Sequence, residues 1–459
     1  MRHLPSHRRV RILSCSPDPP PIPEPAPRVF TPNRLDRALT QQQPDGAPPV
    51  SFLDRAQAER SAEEETRRRA ALGAYLAARL VERLLALDGT EAAEEGLRWQ
   101  QQSTLHYVRD LPRDDAESAY LAAIVAAVQP GPGRRLPTVR IALRDYASFL
   151  EYEARFDEAL DGLRLSAATW LGEIPGPDFA DLALFAGRLN RQIGRHELAE
   201  DCFAAVEEAV AGSGDVAPAL RARLGRAGIL RDCGRLVDAR AEVERVIAET
   251  EGQQHLGAVA GLAYADLGAV LARSGRPVEA VRALYDAFRR TPDPIQRLRI
   301  LGELGAGLAE LGAVDAARVA FELVADSRTG VLVRAGAHVH LMDLASGEGD
   351  RIGFERNRTA VGDVAGNMPP QVAVDFGFRS ALGFARFGQF SRATEIWRET
   401  RALADRHGYA DTASTIAQVL AGLDGCRRHG VASPERVEAP PEIAALAADL
   451  RVLATHAGA

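Results

Sequence analysis

The chain contains no lysine; all 56 of its basic residues are arginine. That excludes Schiff-base catalysis and any phosphate loop ending in Gly-Lys-Ser or Gly-Lys-Thr, since both need the lysine amine. Cysteine is sparse, and Cys15, Cys202, Cys233 and Cys426 stand far apart with no C-x-x-C pair. They read as reduced thiols in a cytoplasmic helical protein, not as a disulfide frame or a zinc site. No run approaches the 18 apolar residues that a membrane span requires, so no span is expected. An excess of positive charge is missing too: 63 acidic residues outnumber the basic ones, for a net charge of −7. General nucleic-acid binding needs a basic face that neutralises phosphates and is not expected, although a local basic groove fits that balance.

Catalytic and cofactor-binding sets are also missing. His338 and His340 form a close histidine pair, but residues two apart on a helix point to different faces, so they read as ordinary helical histidines. Gly305-Ala306-Gly307 is glycine-rich, yet position 310 is Glu310 and no strand precedes it, which argues against a dinucleotide loop. Asn357-Arg358-Thr359 is a formal glycosylation sequon that matters only in a secreted eukaryotic setting. No metal, cofactor or enzymatic activity is expected.

What is there is helix-forming. Aromatic residues are only 6% of 459 positions, while Ala, Leu, Arg and Glu dominate. Residues 1–50 hold 12 of the 27 prolines and seven Arg against four acids, so a disordered or polyproline-like tail is expected there. Its apolar stretch Val10–Leu13 is too short for the core of a signal peptide, and Ile12-Leu13-Ser14-Cys15 only faintly resembles a lipoprotein cleavage site. Residues 53–130 read as a helical N-terminal cap. Within it Leu72, Tyr75, Leu76, Leu80, Leu84 and Leu85 lie along one face, and Ser61 with Glu64 forms a capping box. Pro130-Gly131-Pro132-Gly133 closes this part, and residues 439–459 read as a C-terminal helix and tail.

Between them, over residues 138–424, a glycine is followed five places later by an alanine: Gly194 by Ala199, Gly234 by Ala239, Gly275 by Ala280, Gly312 by Ala317 and Gly388 by Ala393. The period of 37 to 41 residues marks a stacked array of about seven helical hairpins, each burying its apolar face on its neighbours. The best copy carries Tyr264, Leu267 and Gly268 on a first helix, Gly275 in the turn, and Ala280, Leu284 and Ala287 on a second helix that Pro292 stops. Small residues at the crossing let the two axes approach, and the turn glycine supplies the left-handed cap that reverses the chain. Arg155 to Ala159 supply the alanine of a first unit, whereas the unit from Val331 lacks turn glycine and alanine in register and reads as a distorted repeat or the site of a bend.

This pattern resembles the tetratricopeptide repeat family. Tyr264, Leu267, Gly268, Ala280, Ala287 and Pro292 match its motif, as do Leu304-Gly305, Ala317 and Phe321 in the next unit and Gly187, Ala199 and Phe203 two units earlier. The resemblance implies an all-α, right-handed superhelix of antiparallel hairpins. The period is longer than the family's 34, so helices lengthened by about 4.5 Å are expected at 1.5 Å per residue. Such long repeats look like those in sensor regions of bacterial transcription activators and peptide-responsive regulators.

By the same resemblance, binding falls on the face lined by the first helices. Counting back eight and eleven residues from each repeat alanine points to Arg188, Arg191 and Arg231, with Arg221 nearby and Arg144, Ser148 and Glu151 in the first unit. An arginine-rich half-groove that grips carboxylates of a peptide or acidic protein segment is one reading. The other is that these arginines are solvated or paired with acids such as Asp181, Asp232 and Glu200. The function expected is a non-enzymatic scaffold for a protein or peptide; the alternative is a sensor array that takes a small effector or signal peptide and controls transcription through a partner.

Overall fold

The computed structural model describes residues 29–30, 35–39, 50–58, 65–87, 90–111, 116–129, 136–153, 155–327, 331–362, 368, 370–406 and 409–429, with 443, 445, 448 and 449. Among the described residues the chain is all-α apart from one pair of two-residue strands, β1 (Val29–Phe30) and β2 (Ile174–Pro175). Five helices precede the array: α1 (Asp36–Leu39), α2 (Val50–Ala58), α3 (Glu65–Leu85), α4 (Glu91–Arg109) and α5 (Ala116–Ala127). Seven antiparallel hairpins follow. They are α6 (Leu136–Tyr152) with α7 (Phe156–Ala168), α8 (Gly176–Gln192) with α9 (His196–Val210), and α10 (Ala217–Asp232) with α11 (Leu236–Thr250). Next come α12 (Gly257–Arg273) with α13 (Pro277–Arg290), α14 (Pro294–Glu310) with α15 (Val314–Ala325), α16 (Val331–Gly347) with α17 (Arg351–Gly362), and α18 (Pro370–Arg386) with α19 (Phe390–Arg406). A further helix, α20 (Ala410–His429), packs on α19.

Most helices of the array pack chiefly on their hairpin partner and next on an adjacent hairpin. The first helices are 16 or 17 residues long, about 25 Å at 1.5 Å per residue. Their starts follow local chemistry: proline stands at the first helical position of α13, α14 and α18, and the Asp293 carboxylate accepts from Ile295 N at 3.1 Å. Their ends use left-handed glycine. At Gly275, φ is 70°; its N–H bonds Ala272 O at 3.1 Å, and Arg276 N bonds Leu271 O at 3.0 Å, a Schellman cap.

The repeat alanines Ala199, Ala239, Ala280, Ala317 and Ala393 are all buried, none more than 1% exposed. Each sits in the first turn of its second helix, where Ala239 N bonds Arg235 O and Ala393 N bonds Gln389 O, both at 3.0 Å. Ala239 and Ala393 therefore shape the crossing and present nothing to a ligand. In the fourth hairpin a Cβ on Gly268 would meet Leu284 Cγ at 2.6 Å, so that glycine sets how closely the helices approach.

Several expectations need correction. The sixth hairpin is regular: Gly349 has φ 79° and the same pair of cap bonds, and Phe354 occupies the alanine position. Its ring is accommodated because Gly383, on the next first helix, has no side chain where the ring lies. In α3 the buried stripe is Ala71, Ala74, Ala77, Leu80, Val81 and Leu84, while Leu72 is 36% exposed. Alanine, not leucine alone, carries that contact. The stretch Gln254–Arg273 is long and apolar enough, by length and composition, to cross a membrane. Counting unbroken apolar runs missed it, because Ala and Gly raise its mean hydropathy. It contains α12, an inner helix of the array packed between α11 and α13.

The tail is also not wholly as expected. Val29 and Phe30 pair antiparallel with Pro175 and Ile174, and Phe30 stacks on Phe179 at 4.4 Å. Leu35, Ala38 and Leu39 are buried against α7, α8 and α9, and Asn190 Nδ2 donates to Ala38 O at 2.9 Å. Enough apolar surface is covered to order these positions despite the proline-rich composition. The remainder of the tail, the Ser61/Glu64 box, the Pro-Gly connector, Cys15 and most of the C-terminal segment lie outside the described residues. Of that last segment, Ile443 is buried in the core of hairpins four and five, and Asp449 Oδ2 accepts from Tyr285 OH at 2.9 Å.

The cap meets the array through a buried ionic cluster. Glu117 of α5 accepts from Tyr146 OH at 2.6 Å, Arg155 at 2.7 Å and Arg55 at 3.2 Å. Burial alone would raise the Glu117 pKa. The charges of Arg155 and Arg55, with their hydrogen bonds, more than offset this and hold it at about 2.

Candidate functional site

The first helices stand side by side, and charged residues link four of the neighbouring pairs. Between α6 and α8, Arg188 Nε and Nη2 grip Glu151 at 2.6 and 2.8 Å, while Arg144 pairs with Asp181 at 3.2 Å. Between α8 and α10, Arg191 reaches Asp232 at 2.7 Å. Between α10 and α12, Arg231 meets Asp266 at 3.4 Å and also Asp232 at 3.3 Å. Further along, Asp343 of α16 is held by Arg379 at 2.6 Å and Arg386 at 2.7 Å, both from α18.

The predicted arginines thus separate into two groups. Arg144, Arg188, Arg191 and Arg231 each have a carboxylate partner, Asp181 and Asp232 among the acids expected, whereas Arg221 has none among the described residues. Glu200, the other acid expected there, pairs instead with Arg226 at 2.7 Å. Ser148 is occupied by its own helix, its hydroxyl donating to Arg144 O at 3.1 Å. Arg144, Arg188 and Arg221 are brought together around Asp181 and Glu151, giving three guanidinium groups to two carboxylates. Arg221 makes no hydrogen bond or ion pair with any described residue, and its pKa is lowered. Burial is the main cause, Asp181 opposes it, and the like charges of Arg188 and Arg144 add to it. By contrast the Arg188 pKa is raised: burial would lower it, but Glu151 prevails.

The array curves enough for distant first helices to face each other. α6 touches α16, and Arg299 of α14 lies near enough to bias both Glu151 and Tyr152 of α6. Asp266 and Glu303 share this inner face, where solvent reaches them although protein surrounds them. Burial raises both carboxyl pKa values, only partly countered by Arg231 at Asp266 and by Arg299 and Arg231 at Glu303. Counting back from the alanine missed these residues because it stopped too soon. Asp266 and Glu303 stand 14 places before their alanines, and Arg299 stands 18 before its own. One and two further helical turns on the same face would have found them.

No group of three metal-binding side chains occurs among the described residues. His338 Nδ1 is 2.9 Å from Asn357 Oδ1, whereas His340 stacks on Phe321 with ring centres 4.6 Å apart. Burial, with the charge of Arg379, lowers the His340 pKa to about 4. Cys202 is buried, its thiol pushed up to about 12 by desolvation, while Cys233 is exposed.

No protein-family model matches the chain, and no curated protein does. Among solved structures, a Rap protein complexed with competence and sporulation factor is similar with a TM-score of 0.45 at 12% identity, over 74% of this chain and 99% of that one. The apo form of the quorum sensor NprR from B. thuringiensis is similar with a TM-score of 0.44 at 13% identity, over 81% of this chain and 97% of that one. At these values the likeness is one of helical form, and no residue role follows from it.

Proposed function

We propose that this tetratricopeptide-like array is a non-catalytic scaffold that holds a peptide or acidic protein segment on the face formed by its first helices. The reading is carried by the Arg144, Arg188 and Arg221 group, in which arginines outnumber carboxylates and Arg221 is left without a partner among the described residues. A partly buried guanidinium crowded by two like charges gains most from an incoming carboxylate, which restores the missing counter-charge with two charge-assisted hydrogen bonds. The paired Arg191 and Arg231 hold neighbouring first helices in place and shape the surface around that point.

The test is selection of a displayed heptapeptide library on the full chain, followed by affinity measurement on synthetic versions of the enriched peptides. Enriched peptides should carry an acidic residue or need a free C-terminal carboxylate. Arg221→Glu should weaken them about tenfold or more, as expected when one charge of a close pair is reversed. Affinities indifferent to changes at both Arg188 and Arg221 would remove the proposal.

A second reading is favoured by the approach of α6 to α14 and α16, which narrows the inner face. Under it the array is a regulatory sensor that encloses a small effector or signal peptide and passes the signal to a partner. Native mass spectrometry of the purified chain separates the two, since a copurifying small molecule would favour the sensor.

A further inference from the structure

One groove of the array is already filled by the chain itself. α1 lies across α7, α8 and α9, so the second helices of hairpins one and two form its walls and the first helix of hairpin two its floor. Leu35 and Leu39, one helical turn apart, are 2% and 1% exposed there, and between them Arg37 pairs with Asp201 of α9 at 3.7 Å. The other end of the chain docks in a similar way, with Ile443 buried against hairpins four and five.

The corresponding groove between hairpins six and seven holds an open cavity of about 310 Å³ lined by α17, α18 and α19. With the turn glycines Gly388 and Gly194 superposed in sequence, its lining falls in register with the residues of hairpin two. Phe376 stands at the place of Leu182, Phe384 at Asn190, Ile396 at Cys202 and Leu403 at Ala209. The acidic wall is kept as well: Glu395 replaces Asp201, and Glu399 lies one turn further along α19. Neither glutamate has an ion-pair partner among the described residues.

The floor differs in one chemical respect. Asn190 donates to the carbonyl of Ala38, and Phe384 cannot. In its place the Phe384 ring, 1% exposed, is fixed edge-on to Phe354 at 5.2 Å beneath Arg392 at 4.0 Å, and the half-buried Phe376, Ile396 and Leu403 supply the apolar part of the lining. Side-chain burial therefore takes the place of the backbone hydrogen bond.

We propose that the groove between α17 and α19 is a docking site for a short helical turn of a partner protein carrying two aliphatic residues four places apart and an arginine between them. Leu35-Asp36-Arg37-Ala38-Leu39 is the template for that chemistry. The chain's own copy of this turn is seated in hairpin two, and among the described residues no segment lies in the second site, to which we assign a turn of the same chemistry on another protein. The aliphatic pair fills the cavity against Phe376, Ile396 and Leu403, and the arginine meets Glu395 and Glu399. This surface is distinct from the arginine group on the first helices, and the two proposals stand or fall separately.

The probe is a synthetic peptide of residues 30–40 with benzoylphenylalanine in place of Phe30 and a fluorescent label, titrated into the full chain. Saturable binding is expected, and photo-crosslinks should map to residues 370–406. Both exposed acids can be reversed without touching the core, and Glu395→Arg with Glu399→Arg should weaken the peptide about tenfold at an unchanged melting temperature. A peptide carrying Leu35→Asp and Leu39→Asp should not bind. Crosslinks confined to α7–α9, absence of saturable binding, or indifference to the charge reversal would overturn the proposal. A chain dimer in sedimentation that free peptide dissociates would assign the groove to a second copy and overturn the partner reading.

Discussion

Glu117→Gln should destabilise the junction between the cap and the first hairpin by about 3–5 kcal/mol at pH 7, the cost of stranding a buried charge. Glu117 is 4% exposed and receives hydrogen bonds from Tyr146, Arg155 and Arg55, so its loss leaves Arg155 and Arg55 with Glu158 as their remaining carboxylate. The pKa gives an independent magnitude. Burial pushes the carboxyl up, but Arg155 and Arg55 bring it from 4.5 to about 2. At about 1.4 kcal/mol per unit this corresponds to about 3 kcal/mol. The sign follows from the depression: the contribution is complete above the unfolded value of 4.5 and is lost as pH falls towards about 2. The gap between wild type and variant should therefore be widest near neutrality and close in acid.

A repeat array opens in parts, so the measurement must be local. Hydrogen exchange read peptide by peptide, corrected for intrinsic rate at each pH, meets that need. Amides of α5, α6 and α7 should lose about two powers of ten in protection at pH 7, while hairpins five to seven stay unchanged. Unaltered protection of α6, or a gap independent of pH between 7 and 3, would refute the reasoning.

Ala280→Leu places a branched side chain at a 1%-exposed crossing and should cost about 1–3 kcal/mol, visible by calorimetry as a lowered Tm. Gly275→Ala tests the turn: nothing lies within 4 Å of the added carbon, so the expected loss of about 1–2 kcal/mol in urea denaturation is backbone strain alone at φ 70°. Gly225→Ala tests packing instead, because its Cβ would run into the Phe203 ring; a destabilisation relieved by Phe203→Leu in the double variant is expected. A thiol reagent at pH 8 should label Cys233 well before Cys202, and equal rates would contradict the burial of Cys202.

The hairpin frame was legible because its determinants are local. Gly275 and Ala280 belong to one turn and the helix after it, and Gly268 meets Leu284 within the same hairpin. The sixth unit escaped this logic because the residue that admits Phe354 in place of alanine is Gly383, 29 positions away on the next hairpin. Gly225 was passed over for the same reason, since the ring it accommodates, Phe203, lies one hairpin back. Periodicity likewise placed Arg188, Arg191, Arg221 and Arg231 on first helices. It could not tell which were paired, because Glu151, Asp232 and Asp266, the partners of Arg188, Arg191 and Arg231 on neighbouring helices, sit about one period away.

A run of helical hairpins with a 37- to 41-residue period follows from sequence alone, since turn, cap and crossing are set by residues within one unit. What the surfaces present was settled by tertiary contacts. Arg155 holds the same place after its turn as Arg235 and Arg276, yet it is 8% exposed beside Glu117 from 38 positions earlier, while they lie in the open. Arg221 is crowded by like charges because of how three first helices converge, and one groove is filled by Leu35 and Leu39 while its counterpart is open among the described residues. Burial and pairing depend on which distant segments meet, and no local pattern encodes that.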